Sequence, residues 1–349
     1  MIAYIGCRTT KERNARGKGI SVYRVDGDKW TLLEIYKEIV NPSYLCLNKR
    51  RDRLYSIHGD FSEVSSFGIK VDGTLEYINT VKTHGTNPVH LTLEQTGKYL
   101  YVANLQTGAV SVIPVLEDGS LGLIKDMYFI SGNGGPGYIS HPHQVNIDHS
   151  GRWLLVPSQG RLQGIGKVTV FKINPENGAL EEISKVVART GAEPRHIILH
   201  PNNKYAYLVN EKDSTVTFYN FDDVKGELVP KQILTSLPSD YFGDGWASAI
   251  AMSGAGDSLY LSNRKHDSVS VYRIEQETGY MTYIQNITTK GQQPRFICMT
   301  PDDSYLLAAN ELTDTITVFN VDKNTGMLSD SGSQIETESP VCVAFNTNI

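Results

Sequence analysis

The chain has 349 residues, with 33 Lys+Arg against 38 Asp+Glu, a formal net charge of -5 and 40% hydrophobic residues. With no basic stripe to follow a phosphate backbone, nucleic acid is excluded as an expected partner, and no run of about 18 apolar residues offers a membrane-spanning helix. The opening "MIAYIGCRTT" lacks the basic and long apolar segments of a secretory leader, so a cytoplasmic protein is expected.

From the N-terminus, "MIAYIGC" and "GISVYRV" read as two strands, and a repeat then begins. Strand-like runs close on Asn in "YLYVAN" (Asn104), "YAYLVN" (Asn210), "LYLSN" (Asn263) and "YLLAAN" (Asn310), with weaker copies "LYSIH" (His58) and "WLLVPS" (Ser158). Sixteen positions before each end stands a mark: Pro42, Pro88, Pro142, Pro194, Ala247 and Pro294. After each end comes an alternating strand such as "TVTFYNF", then a Gly turn such as "ENGAL" or "ETGYM" leading into a fourth strand.

With Pro340 the marks recur every 46 to 54 residues, about four strands per unit, the signature of a β-propeller blade. Only "VCVAFNTNI" follows Pro340, and counting on through Met1 puts the sixteenth step at Cys7. The expected fold is therefore all-β: a seven-bladed β-propeller of four-stranded blades, the last closed by strands from both termini, with residues 1–349 as one domain. Stacked β-sandwiches would not explain a period that wraps across the termini. Cys7, Cys46, Cys298 and Cys342 show no CxxC spacing and read as small buried hydrophobes.

In such a blade the start of the first strand and the end of the second meet at one rim. Residues following the marks form one expected ring: Ser43, Val89, His143, Arg195, Ser248, Arg295 and Val341. Those following the strand ends form another: Arg8, Gly59, Leu105, Gln159, Glu211, Arg264 and Glu311. Ionisable groups converging on one channel mouth are costly to desolvate, which singles out His143, Arg195, Glu211 and Arg264, with His90, His141, His196 and Arg295 nearby as substrate-binding candidates. Two insertions, "SGNGGPGYISHPHQ" and "SLPSDYFGDGW", are candidate pocket walls. "GNGGPG" is not a phosphate loop, since neither Lys-Ser/Thr nor a helix start follows it.

The segments "NPVH", "HPHQV", "EPRHIILHPNNKYAYLVNE", "SLYLSNR" and "QPRFICMTPDDSYLLAAN" resemble the seven-bladed lactonase family, which includes propeller-type 6-phosphogluconolactonases and the fungal 3-carboxy-cis,cis-muconate lactonizing enzyme. The resemblance spans essentially the whole chain. It implies His143, Arg195, Glu211 and Arg264 as the catalytic site, working without metal or cofactor. The chain departs from the family pattern at Ala249 and Ala251, where an acid and a histidine are common, and at Ser158, where Asp is common.

The expected activity is hydrolysis of a sugar lactone, 6-phosphogluconolactone first, with the arginines stabilising the carbonyl oxyanion and Glu211 or His143 as general base. The alternatives are muconate-type lactonizing cycloisomerization and a non-catalytic propeller that binds a small anion or a protein. An anionic small-molecule substrate and a monomer or weak dimer are expected.

Overall fold

The computed structural model describes residues 1–27, 29–132, 137–161 and 164–349. Seven four-stranded antiparallel sheets stand in a ring, and the helical content among the described residues is one 3-10 turn, Lys11–Arg13. Blades are numbered from their innermost strands: Pro42–Leu47 (blade 1), Pro88–Leu93 (blade 2), Pro194–Leu199 (blade 4), Ala247–Met252 (blade 5), Pro294–Met299 (blade 6) and Pro340–Asn346 (blade 7). In blade 3 the innermost strand is split into His141–Pro142 and Asn146–Ile147. Blade 7 is completed by the N-terminal strands Ile2–Cys7, Ile20–Asp26 and Lys29–Tyr36, as the wrapped period predicts.

The sixteen-residue interval is a pairing register. Pro42 lies opposite His58, Pro88 opposite Asn104, Pro142 opposite Ser158, Pro194 opposite Asn210, Ala247 opposite Asn263, Pro294 opposite Asn310 and Pro340 opposite Cys7. Seven apolar clusters fill the seven gaps between neighbouring blades, including the gap between blades 6 and 7 and that between blades 7 and 1. A closed ring of this kind buries second strands such as Ser258–Asn263 along their whole length, while outer strands such as Leu180–Val187 are largely exposed.

Polar locks tie five of the seven blades to the next. Tyr4, Tyr55, Tyr101, Tyr207 and Tyr260, on second strands, donate their hydroxyls to the carbonyls of Gly73, Gly119, Gly178, Gly279 and Gly326 in the following blade's turn. Gly279 illustrates why glycine is required there: its φ is +78°, and a Cβ would come within 2.4 Å of the Phe218 ring. The repeated Asn has a similar structural task. Asn104, Asn210, Asn263 and Asn310 are buried and donate to hydroxyls of Ser111, Thr217, Ser270 and Thr317 on the third strand.

Candidate active site

Two backbone devices build the channel mouth. In six blades the residue before the mark is left-handed: Asn41 (φ 43°), Asn87 (55°), Glu193 (59°), Trp246 (50°), Gln293 (59°) and Ser339 (47°). The carbonyl of each accepts the N–H of the residue that follows the second strand: Gly59, Leu105, Glu211, Arg264, Glu311 and Arg8, respectively. Immediately after the mark the same six blades have a register shift, a β-bulge that redirects the extra residue. At Arg195 and Arg295 the bulge sends a long cationic side chain toward the mouth instead of along the sheet face.

Three charged residues meet there. Glu211 Oε1 lies 3.0 Å from Arg264 Nη2, and its Oε2 lies 3.3 Å from Arg195 Nε and accepts from Gln159 Nε2 at 2.9 Å. Arg195 is almost fully buried and donates through Nη1 to the Ser248 carbonyl at 2.7 Å. Arg264 Nε donates to the Trp246 carbonyl at 3.3 Å, and its guanidinium lies 5.6 Å from the centroid of the Trp246 ring. Arg195 Nε and Arg264 Nη2 are close to carboxylate oxygens, yet neither makes a well-directed hydrogen bond. Both are buried and Coulombically paired with the carboxylate.

Burial favours the neutral form of Glu211, but Arg264 and Arg195 outweigh it and hold the carboxyl far below the usual carboxylate range. His143 moves down for two reasons acting together, burial and the neighbouring Arg195 charge, and stays neutral. Its Nδ1 has no partner. The mouth therefore offers a permanently ionised carboxylate, two guanidiniums and a neutral imidazole with a free ring nitrogen.

The other predicted residues fall in different layers. His196 lies against His143, ring centroids 5.3 Å apart, with Arg195 Nη1 3.3 Å from its Nδ1. His90 is one layer deeper, its ring 3.9 Å from Tyr44 and 5.8 Å from His196, and burial with Arg195 lowers its pKa to about 3. With Phe296, which meets Tyr44 edge-on, these rings plug the channel. The cavity above them is only about 20 Å³ and is lined by His143, Arg195, His196, Arg295, Arg8 and Tyr44, among others. That is room for about one water, so a ligand must rest on the mouth and not descend the channel. His141 turns aside, Nδ1 at 2.8 Å from the Leu105 carbonyl of blade 2.

Arg295 joins a second cluster. Glu311 lies 3.2 Å from Arg8 and 3.8 Å from Arg295, and accepts from Gln293 at 2.7 Å. Arg8 also meets Asp60 at 3.0 Å. Among these, Arg8 and Gln159 stand in the sequence-derived rings, but neither was singled out from them. Trp246 sits directly before a mark, a position whose left-handed backbone no local pattern announces.

The family departures have plain surroundings. Ala249 and Ala251 pack in the apolar cluster between blades 5 and 6, and Ser158 is fully buried and bonds the Val156 carbonyl. Of the two insertions, residues 133–136 lie outside the described residues. The other brings Trp246 to the rim, where Lys212 and Lys265 lie 4.6 and 4.4 Å from its ring centroid. Among the described residues no group of three or more His, Cys, Asp or Glu is arranged to hold a metal ion, and no helix is long and apolar enough to cross a membrane. All four cysteines are free thiols.

Known proteins share this architecture over its whole length. The chain is 30% identical over 350 residues to a 6-phosphogluconolactonase of Bacillus subtilis, covering 99% of each protein. It is 29% identical to a 6-phosphogluconolactonase of Formosa agariphila, over 93% of this chain and 94% of that one. The periplasmic gluconolactonase of Pseudomonas aeruginosa superposes with a TM-score of 0.89 at 25% identity, covering 98% of both chains. The family model described as "Lactonase, 7-bladed beta-propeller" matches residues 2–345, and with seven blades closed by both termini the chain belongs to that family.

Proposed function

We propose that the protein hydrolyses an anionic sugar lactone, a 6-phosphorylated aldonolactone foremost. The observation that carries this reading is the convergence of Arg195, Arg264 and neutral His143 around Glu211 at one mouth. The 6-phosphogluconolactonase names of its relatives support the substrate class.

In this reading the lactone rests on the mouth with its carbonyl oxygen toward the Arg195 and Arg264 guanidiniums. As water attacks, negative charge develops on that oxygen, and donors already fixed in place stabilise it without reorganisation. The neutral imidazole of His143, on the cavity wall, takes the proton from the attacking water. When the tetrahedral intermediate collapses, the ring C–O bond breaks and the imidazolium returns its proton to the departing ring oxygen, giving the open hydroxy acid. Glu211 does not serve as base, because both of its oxygens are engaged by arginines. Its task is to hold the two guanidiniums side by side against their repulsion. The test is lactone hydrolysis by purified protein, corrected for spontaneous opening, across phosphorylated and unphosphorylated aldonolactones.

A further inference from the structure

The Arg–Glu–Arg arrangement occurs twice at the mouth. In blade 4 the bulge residue Arg195 and strand-end Glu211 are joined by Arg264, the strand-end residue of blade 5. In blade 6 the bulge residue Arg295 and strand-end Glu311 are joined by Arg8, the strand-end residue of blade 7. The two clusters are repeat-equivalent, two blades apart, and Arg8, Arg195 and Arg295 line the same small cavity.

They differ in what stands beside them. The blade preceding the first cluster contributes His143 at its after-mark position. The blade preceding the second contributes Ser248, whose hydroxyl is spent on the Arg295 carbonyl at 2.8 Å. The first cluster can move a proton, and the second has no neutral base at the equivalent place.

Charge gives the second cluster a purpose. Four guanidiniums face Glu211 and Glu311, while Asp60 behind them is matched by Arg13, so two positive charges at the mouth lack a carboxylate. Arg8 Nε is buried without a well-directed hydrogen bond, and Arg295, the most exposed of the four at 20%, lies 3.8 Å from Glu311, beyond direct hydrogen bonding. Arg295 has donors to offer a ligand, and Arg8 adds its charge on the wall of the same cavity.

We propose that Arg8 and Arg295, held by Glu311, form a second anion station that grips the phosphate monoester of the substrate while the first cluster works on the lactone carbonyl. This rests on the lactonase reading for the first cluster, but its binding test does not. Guanidinium pairs match phosphate oxygens bidentately, and in the second cluster Arg8, Arg13 and Arg295 exceed Glu311 and Asp60 by one positive charge, which a phosphate offsets.

The test is calorimetric binding of two product acids, an aldonate and its 6-phosphate, to the full chain. The wild type is expected to bind the phosphorylated acid at least tenfold more tightly, and Arg295→Gln to bring the two within threefold. Ser43→Asp, which removes no buried cation and puts a carboxylate on the same cavity wall, is expected to do likewise. An undiminished preference in both folded variants overturns the proposal, as does equal binding of the two acids by the wild type. If the preference depends on Arg295 but no lactone is opened, the station stands and the hydrolase reading fails; if lactones are opened without any phosphate preference, the reverse holds.

Discussion

Replacing His143 by glutamine separates the proton carrier from the charge scaffold. The imidazole is buried, neutral and has an unpartnered Nδ1, so the substitution breaks no ion pair and the fold should persist. Loss of a positioned general base lowers kcat by about 100- to 10,000-fold, equivalent to roughly 3–5 kcal/mol of barrier. Glu211→Gln is the contrast: it leaves Arg195 and Arg264 buried without their carboxylate, which costs about 3–5 kcal/mol of stability when a buried pair is broken on one side. The assay is continuous titration of the acid released from a phosphorylated lactone, with the spontaneous rate subtracted and unfolding by urea followed in parallel. His143→Gln should lose turnover at near-native stability, and Glu211→Gln should lose both. The assignment fails if His143→Gln keeps more than a third of the wild-type kcat while a demonstrably folded Glu211→Gln loses a hundredfold.

Other outcomes follow from the same geometry. Because burial and Arg195 hold His143 in its basic form, kcat/KM should not fall with an apparent pKa near 6.5, and a profile losing half its value at that pH contradicts the environment described. Stability should behave differently. His90, His143 and His196 all have folded pKa values below the ordinary 6.5, so the unfolded chain binds more protons as pH falls; their contribution is complete above about 6.5 and is lost toward the folded values, about 3 for His90. Urea midpoints at pH 7.5 and 5.5 check this at roughly 1.4 kcal/mol per pH unit for each imidazole, and His90→Phe should flatten the slope. Tyr207→Phe removes the donor to the buried Gly279 carbonyl and should cost about 1–3 kcal/mol with turnover unchanged, whereas an unaltered melting temperature would remove the inter-blade lock from the account.

Most of the architecture was legible because propeller closure imposes a covalent period. Pro194 and Asn210 recur at the spacing of other marks and ends because those residues face each other across the first hairpin of each blade. Cys7 could be assigned to the last blade by the same count, through Pro340. The ring logic brought Arg195, Glu211 and Arg264 to one mouth, since every blade repeats the same hairpin. What the period could not show is where side chains point after a bulge. A one-residue slip reverses a strand's faces, so the sequence offers His90 and His141 as substrate-binding candidates beside His143 although one enters the plug and the other leans on blade 2. The second cluster lies in the same rings, since closure of blade 7 brings Arg8 and Arg295, 287 positions apart, to Glu311, but the rings alone do not show which of their members pair. Trp246 needed three dimensions as well, because its role depends on a left-handed backbone and on cations from two blades.

The central claim is that this mouth opens an anionic sugar lactone, and the most direct measurement is the initial rate of hydrolysis of a 6-phosphorylated aldonolactone by wild-type protein. An acceleration with kcat/KM of about 10⁴ M⁻¹s⁻¹ or more over the spontaneous reaction is predicted. Folded protein that leaves the spontaneous rate of every aldonolactone unchanged would contradict the account.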